Sequence, residues 1–199
     1  MRTVLTTLLL FIVCTSSFPP ALCAQEKSTT YQFNFWGGYS FTSVKLLGKT
    51  KQAETQILAI GIQRKLKEYP NNRHLWYTAD VIPYLEFYYP KRDESYRFVN
   101  RSGLGISPVG FLITQHLNIP LTPYLQSSGG IIYMENNFPT DKSRRLNFTF
   151  DITIGSIISL NSFSKIYLGY KFHHISNAET GDENPGLDSN FLFINLSFH

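Results

Sequence analysis

A histidine, a serine and an aspartate fall close together near the C-terminal end of the chain, at His174, Ser176 and Asp188. These residue types are the parts of an acyl-transfer site. A serine hydroxyl is a poor nucleophile at neutral pH until a base takes its proton. The base, in turn, needs an acceptor that fixes its ring and stabilises the imidazolium. The same stretch, "HHISNAETGDENPGLD" from 173 to 188, also reads as a polar loop between two strands, because "NPG" at 184–186 is ordinary turn chemistry. Which reading holds depends on where the side chains point, and so on the elements that carry them.

Those elements are strands. In "LNFTFDITIG", Leu146, Phe148, Phe150, Ile152 and Ile154 share one face, while Asn147, Thr149, Asp151 and Thr153 share the other. A period of two is the strand signature. The same alternation recurs in "YQFNFWGGYSF" from Tyr31 and along residues 75–89, where the odd series Leu75 to Tyr89 is apolar and Asp80 and Glu86 lie opposite. About eight such segments are counted: near 30–45, 53–67, 74–89, 102–116, 121–134, 145–160, 164–176 and 189–198. Pro108 and the pair Gly129-Gly130 suggest bulges or bends in the fourth and fifth.

Short connections alternate with long charged ones, the latter around 46–53, 90–101, 135–145 and 177–188. The apolar faces run nearly the whole length of each clear strand, and aromatics gather at strand ends, as in "YLEFYY". The opposite faces keep Lys65, Asp80, Glu86, Asp151 and Lys171. A β-sandwich would turn those charges to water, whereas a small barrel fills its lumen with them as paired networks. The pattern predicts an all-β fold, an eight-stranded antiparallel transmembrane β-barrel of outer-membrane type, with the long loops extracellular.

Parity then aims the candidate residues. The lipid-facing row of the seventh strand, Ile166, Leu168, Tyr170 and Phe172, leads to His174 and Ser176. Read backwards, the row of the eighth strand, Phe198 to Leu192, leads through Asn190 to Asp188. All three residues are thereby expected on the outer surface at the extracellular end. His173 falls on the lumen side, as a network partner.

The first residues, "MRTVLTTLLLFIVCTSSFPPALCAQ", combine Arg2, a short apolar run and Ala24. They read as a secretory signal peptide, 1–24, ahead of a barrel domain spanning 25–199. Cys14 and Cys23 both fall inside it, so the mature chain has no thiol for a disulfide or a thiolate metal site. A net charge of +4 and an exported chain without a recognised binding motif argue against nucleic acid as a partner.

The run His174-Ile175-Ser176-Asn177-Ala178, followed by Asn184-Pro185-Gly186, resembles the C-terminal signature of the PagL family of outer-membrane lipid A 3-O-deacylases, also labelled acyloxyacyl hydrolases. The resemblance implies Ser176 as nucleophile, His174 as base and Asp188 as acid, although the family acid is often glutamate. It implies Ala178, through its backbone N–H, and Asn184 as oxyanion donors, no metal or other cofactor, and lipid A or lipopolysaccharide of the outer leaflet as the partner. A homodimer is a further expectation. Basic residues of the other long connections (Lys49 and Lys51; Lys91, Arg92, Arg97 and Arg101; Lys142, Arg144 and Arg145) suit the phosphates of such a lipid or plain interfacial snorkelling. Two alternatives stay open at this level: a non-catalytic structural or adhesive barrel, and a barrel esterase acting on phospholipids.

Overall fold

The computed structural model describes residues 30–91 and 97–198. The expected leader, both cysteines and Arg92 lie outside the described residues. The chain forms β1 (Tyr31–Ser40), β2 (Ser43–Val44), β3 (Glu54–Tyr69), β4 (Arg73–Pro90), β5 (Phe98–Gln115), β6 (Leu121–Phe138), β7 (Arg144–Ser159), β8 (Ser164–Ser176) and β9 (Leu187–Phe198). The eight long strands pair antiparallel in sequence order, and β1 closes on β9 from Phe33↔Phe198 to Tyr39↔Leu192. This is a closed eight-stranded β-barrel. Two-residue β2 extends the β9 side, pairing Ser43 with Ser189 and Val44 with Asp188. Closure leaves no long edge with unpaired backbone groups.

The alternation behaves as a barrel in hydrocarbon requires. Leu146, Phe148, Phe150, Ile152 and Ile154 are each at least 41% exposed, while Asn147, Thr149, Asp151 and Thr153 between them are buried in the lumen. An apolar outer band over a polar interior is the inverse of a soluble domain. The connections at residues 70–72, 116–120 and 160–163 lie at one end. Those at 41–53, 91–97, 139–143 and 177–186 lie at the other. β5 and β6 continue into the expected loop stretches 98–101 and 135–138, so those two loops are shorter than the charge pattern suggested.

Simple parity fails at two bulges. In β5 the register shifts between Ile106 and Val109, around Pro108, and the inward series changes from Gly105 and Ser107 to Gly110, Leu112 and Thr114. Opposite it, β6 runs unbroken against β7 through Gly129 and Gly130, so the glycine pair is no bulge on that side. In β4 the register shifts between Ile82 and Leu85. Leu85, Phe87 and Tyr89 consequently turn into the barrel, at 0%, 0% and 1% exposure. Glu86, expected in the lumen, faces outward and accepts a hydrogen bond from the Tyr84 hydroxyl. The cause is Pro83, which has no N–H to donate to a ladder. One inserted residue exchanges the two faces of everything beyond it.

The lumen is layered. At mid-height, Trp36 Nε1 donates to Asp80 Oδ1 at 2.9 Å, and His173 Nδ1 lies 2.6 Å from Asp151 Oδ1. Ser128 Oγ donates to Asp151 Oδ2, and Lys171 Nζ sits 4.4 Å from the Trp36 ring centre. His173 is therefore a network partner, as its parity implied. Towards the long-loop end the lumen turns apolar: Leu85, Phe87, Tyr89, Ile132, Met134 and Phe138 are all buried. The Phe87 and Phe138 rings stack there with centres 4.5 Å apart.

Candidate active site

Register brings the candidate residues together. Asp188 of β9 pairs directly with His174 of β8. On the other side of β8, Phe150 pairs with His174 and Phe148 with Ser176. All three candidates lie on the outward series at the long-loop end. Open exposure, however, does not describe them equally: the His174 side chain is 16% exposed, Ser176 is half-buried and Asp188 is fully buried.

A loop that parity could not place covers the acid. After β2, the β1–β3 connection passes over the start of β9, where Lys49 N–H donates to Pro185 O at 2.6 Å and Thr50 N–H to Gly186 O. Within it, three successive amides converge on one carboxylate oxygen. Leu46, Leu47 and Gly48 N–H donate to Asp188 Oδ2 at 2.9, 2.7 and 2.8 Å. Such a run of backbone N–H groups is an anion-binding nest. The other oxygen, Oδ1, lies 2.6 Å from His174 Nδ1.

Asp188 sits above the exposed apolar stretch of β9, which runs from Leu192 to Phe198. Burial pushes its pKa up, but the bonds from His174, Gly48, Leu47 and Leu46 outweigh that and hold it below the ordinary carboxylate value. With the carboxylate ionised, His174 Nδ1 must carry the proton of that short bond. In the neutral imidazole Nε2 then keeps its lone pair, which is the tautomer a general base needs. Ser176 Oγ, two residues on along the same face, makes no hydrogen bond among the described residues. The structure thus joins His174 to Asp188 and leaves the serine hydroxyl unengaged, as is common before substrate binds.

Two glycines permit this packing. Gly48 lies so close to β9 that a Cβ there would meet Leu187 N at 2.7 Å. Gly186 has φ +58, and a Cβ on it would stand 3.1 Å from His174 Cε1.

The β8–β9 loop is tied by its own amides. Asn184 Oδ1 accepts from Asn177 N–H at 3.0 Å, and Asn184 Nδ2 donates to Glu179 Oε1 at 3.0 Å. Because a backbone N–H can only donate, this network fixes which way the Asn184 amide faces. One of its two N–H hydrogens remains for another acceptor. Asn177 is 1% exposed; its carbonyl accepts from Thr180 N–H and Oγ1. Ala178 and Glu179 both adopt left-handed backbone, φ 51 and 60, a conformation that costs non-glycine residues about 1–2 kcal/mol. Ala178 is exposed, and its N–H finds no acceptor among the described residues.

The basic residues of the neighbouring loops are largely engaged within the chain. Arg144 Nε donates to Thr180 O at 2.9 Å, and Lys142 Nζ is 3.8 Å from Glu183. Arg145 Nε donates to Met134 O while its guanidinium lies over Tyr133. Lys91 pairs with Asp141 at 2.5 Å. Lys49 and Lys51 are exposed beside the roof over Asp188. No cluster of three or more His, Cys, Asp or Glu side chains suited to a metal ion occurs among the described residues.

Sequence reasoning missed the Leu46–Gly48 amides, Asn177 as the anchor of the loop, and Glu179 as the partner of Asn184. Gly48 after two leucines marks a turn, but its partner carboxylate lies 140 positions away.

Comparison with known proteins bears on the family and the fold. The profile of the family described as "Lipid A 3-O-deacylase (PagL)" matches residues 58–197. The crystal structure of the outer membrane enzyme PagL superposes with a TM-score of 0.55 at 17% identity, covering 82% of this chain and 97% of that one. Neisserial surface protein A (NspA) superposes with a TM-score of 0.50 at 9% identity, covering 85% and 97%. At such identities the two structures bear on the fold alone. No curated protein sequence matches the chain.

Proposed function

The chain belongs to the PagL family of lipid A 3-O-deacylases, and from that premise we propose that it is an outer-membrane esterase using Ser176, His174 and Asp188 to release an ester-linked acyl chain from lipid A. The observation that carries the reading is the His174–Asp188 pair on the outward side of the barrel, with Nδ1 2.6 Å from Oδ1 and the other carboxylate oxygen held by three backbone amides.

In this reading the reaction runs in two halves. Ser176 Oγ attacks the acyl carbonyl as its proton passes to His174 Nε2, and the imidazolium is stabilised by Asp188 across the 2.6 Å bond. The tetrahedral oxyanion takes hydrogen bonds from Ala178 N–H and the spare Asn184 N–H; the left-handed turn at Ala178 and the Glu179 contact support those roles. His174 then protonates the departing lipid hydroxyl, and the C–O bond of the ester breaks. Water, deprotonated by the same nitrogen, cleaves the acyl-serine and frees the fatty acid. Phe148 and Phe150 flank the site as an apolar surface for the acyl chain, so the ester is met without lifting the lipid into water. Export by the 1–24 leader and outer-leaflet placement of the long-loop end complete the proposal.

The test is mass spectrometry of lipid A from cells expressing the wild-type protein or Ser176→Ala. Wild-type cells should show lipid A lighter by one acyl chain and the variant none, with both proteins still folded and heat-modifiable. Deacylation by a folded Ser176→Ala barrel removes the mechanism.

A further inference from the structure

We propose that the backbone of Leu46, Leu47 and Gly48 in the β1–β3 loop is a positioning element of the active site, holding the Asp188 carboxylate in the one orientation that serves His174. The inference rests on the reading of Asp188 as the orienting acid.

A buried carboxylate on a short side chain can turn about its last bond; a half-turn only exchanges two equivalent oxygens, but intermediate angles carry its lone pairs out of line with the imidazole N–H. Here the two oxygens have separate duties. Oδ2 is saturated by three amides between 2.7 and 2.9 Å, leaving Oδ1 alone for His174 Nδ1 at 2.6 Å. Three donors converging on one atom oppose any intermediate angle, because a partly turned carboxylate would leave buried N–H groups without acceptors. The nest is itself pinned from outside: Lys49 N–H to Pro185 O, Thr50 N–H to Gly186 O, and the β2 pairing with Ser189 and Asp188.

Only backbone is used, so the side chains of Leu46 and Leu47 are free of this duty and point outward, 72% and 57% exposed. Gly48 has no such freedom, since any Cβ would drive the loop off Leu187. The residue that the loop controls touches the base rather than the substrate. Its failure should therefore appear in turnover and not in lipid binding.

The experiment uses the full-length protein in detergent micelles with purified lipopolysaccharide, following fatty-acid release for wild type, Leu47→Ala, Leu47→Pro, Asp188→Asn and the double variant Asp188→Asn/Leu47→Pro. Leu47→Pro deletes the shortest of the three N–H bonds and should lower kcat about ten- to a hundredfold, the range a bond to a charged acceptor supports, with KM unchanged. Leu47→Ala keeps the amide and should lose less. In the double variant, kcat should fall no further than in Asp188→Asn alone, because there is no anion left to aim.

A Leu47→Pro protein with wild-type kcat, a change confined to KM, or additive losses in the double variant would overturn the inference while leaving the Ser176 mechanism standing. Wild-type kcat in Asp188→Asn would overturn both. If Leu47→Pro fails the heat-modifiability check, Gly48→Ala, which displaces the nest with all amides present, is read by the same criteria.

Discussion

Replacing Asp188 by asparagine changes one atom and should inactivate the protein through the tautomer of His174. The nest decides how the new amide sits. Three N–H donors between 2.7 and 2.9 Å accept only an oxygen in their midst, so the asparagine Oδ1 takes the place of Oδ2. Its NH2 group must then face His174 Nδ1, 2.6 Å away in the native structure. A donor there obliges Nδ1 to become the acceptor, and the imidazole proton moves to Nε2. That nitrogen can no longer take a proton from Ser176. In a serine hydrolase, the equivalent aspartate-to-asparagine change leaves the geometry intact and lowers kcat by ~10⁴ through the same wrong tautomer. We expect a loss of about that size here, on the order of 5 kcal/mol in the barrier, with KM little altered. The assay is initial-rate release of fatty acid from purified lipopolysaccharide, alongside heat-modifiability to confirm the barrel. A loss of less than about tenfold in a folded Asp188→Asn protein would refute the argument, since a locked Nε2–H cannot support more.

Asn184→Ala removes the proposed oxyanion donor and strands the buried Asn177 N–H that it accepts from. We expect kcat to fall roughly a hundredfold or more, equivalent to ~2.7–4 kcal/mol, and residues 177–186 to become sensitive to limited proteolysis; unchanged kcat excludes Asn184 as a donor. In the lumen, Lys171→Met should destabilise the barrel by about 3–5 kcal/mol. It leaves Asp80 and Asp151, both of which feel the lysine charge, in a buried site. Adding Asp80→Asn should recover part of that loss in an unfolding titration, and failure to do so would show that Lys171 does not compensate Asp80.

Strand count, lipid-facing rows and the outward placement of His174 and Ser176 were legible because period-two alternation is a local property. β7 to β9 carry no bulge near the site, so parity could be carried straight to residues 174, 176 and 188. It failed in β4, where Pro83 inserts a residue and exchanges Glu86 with Leu85, Phe87 and Tyr89. The proline was visible, but which strand absorbs the extra residue depends on the register of both neighbours. The burial of Asp188 was illegible for a different reason. It comes from a segment far away in the chain, through backbone groups that every residue type except proline possesses. Asp188, one methylene shorter than the glutamate often found in the family, reaches the imidazole because the register sets it directly across from His174.

The stopper of Leu85, Phe87, Tyr89, Ile132, Met134 and Phe138 beneath the long loops has a physiological corollary. Closely packed aromatic and aliphatic side chains offer neither room nor hydration for a permeating ion, so the cylinder should be electrically silent in a planar bilayer. An outer membrane can then host this barrel without opening a leak, and the proposed reaction would draw every reactant, water included, from outside the cylinder.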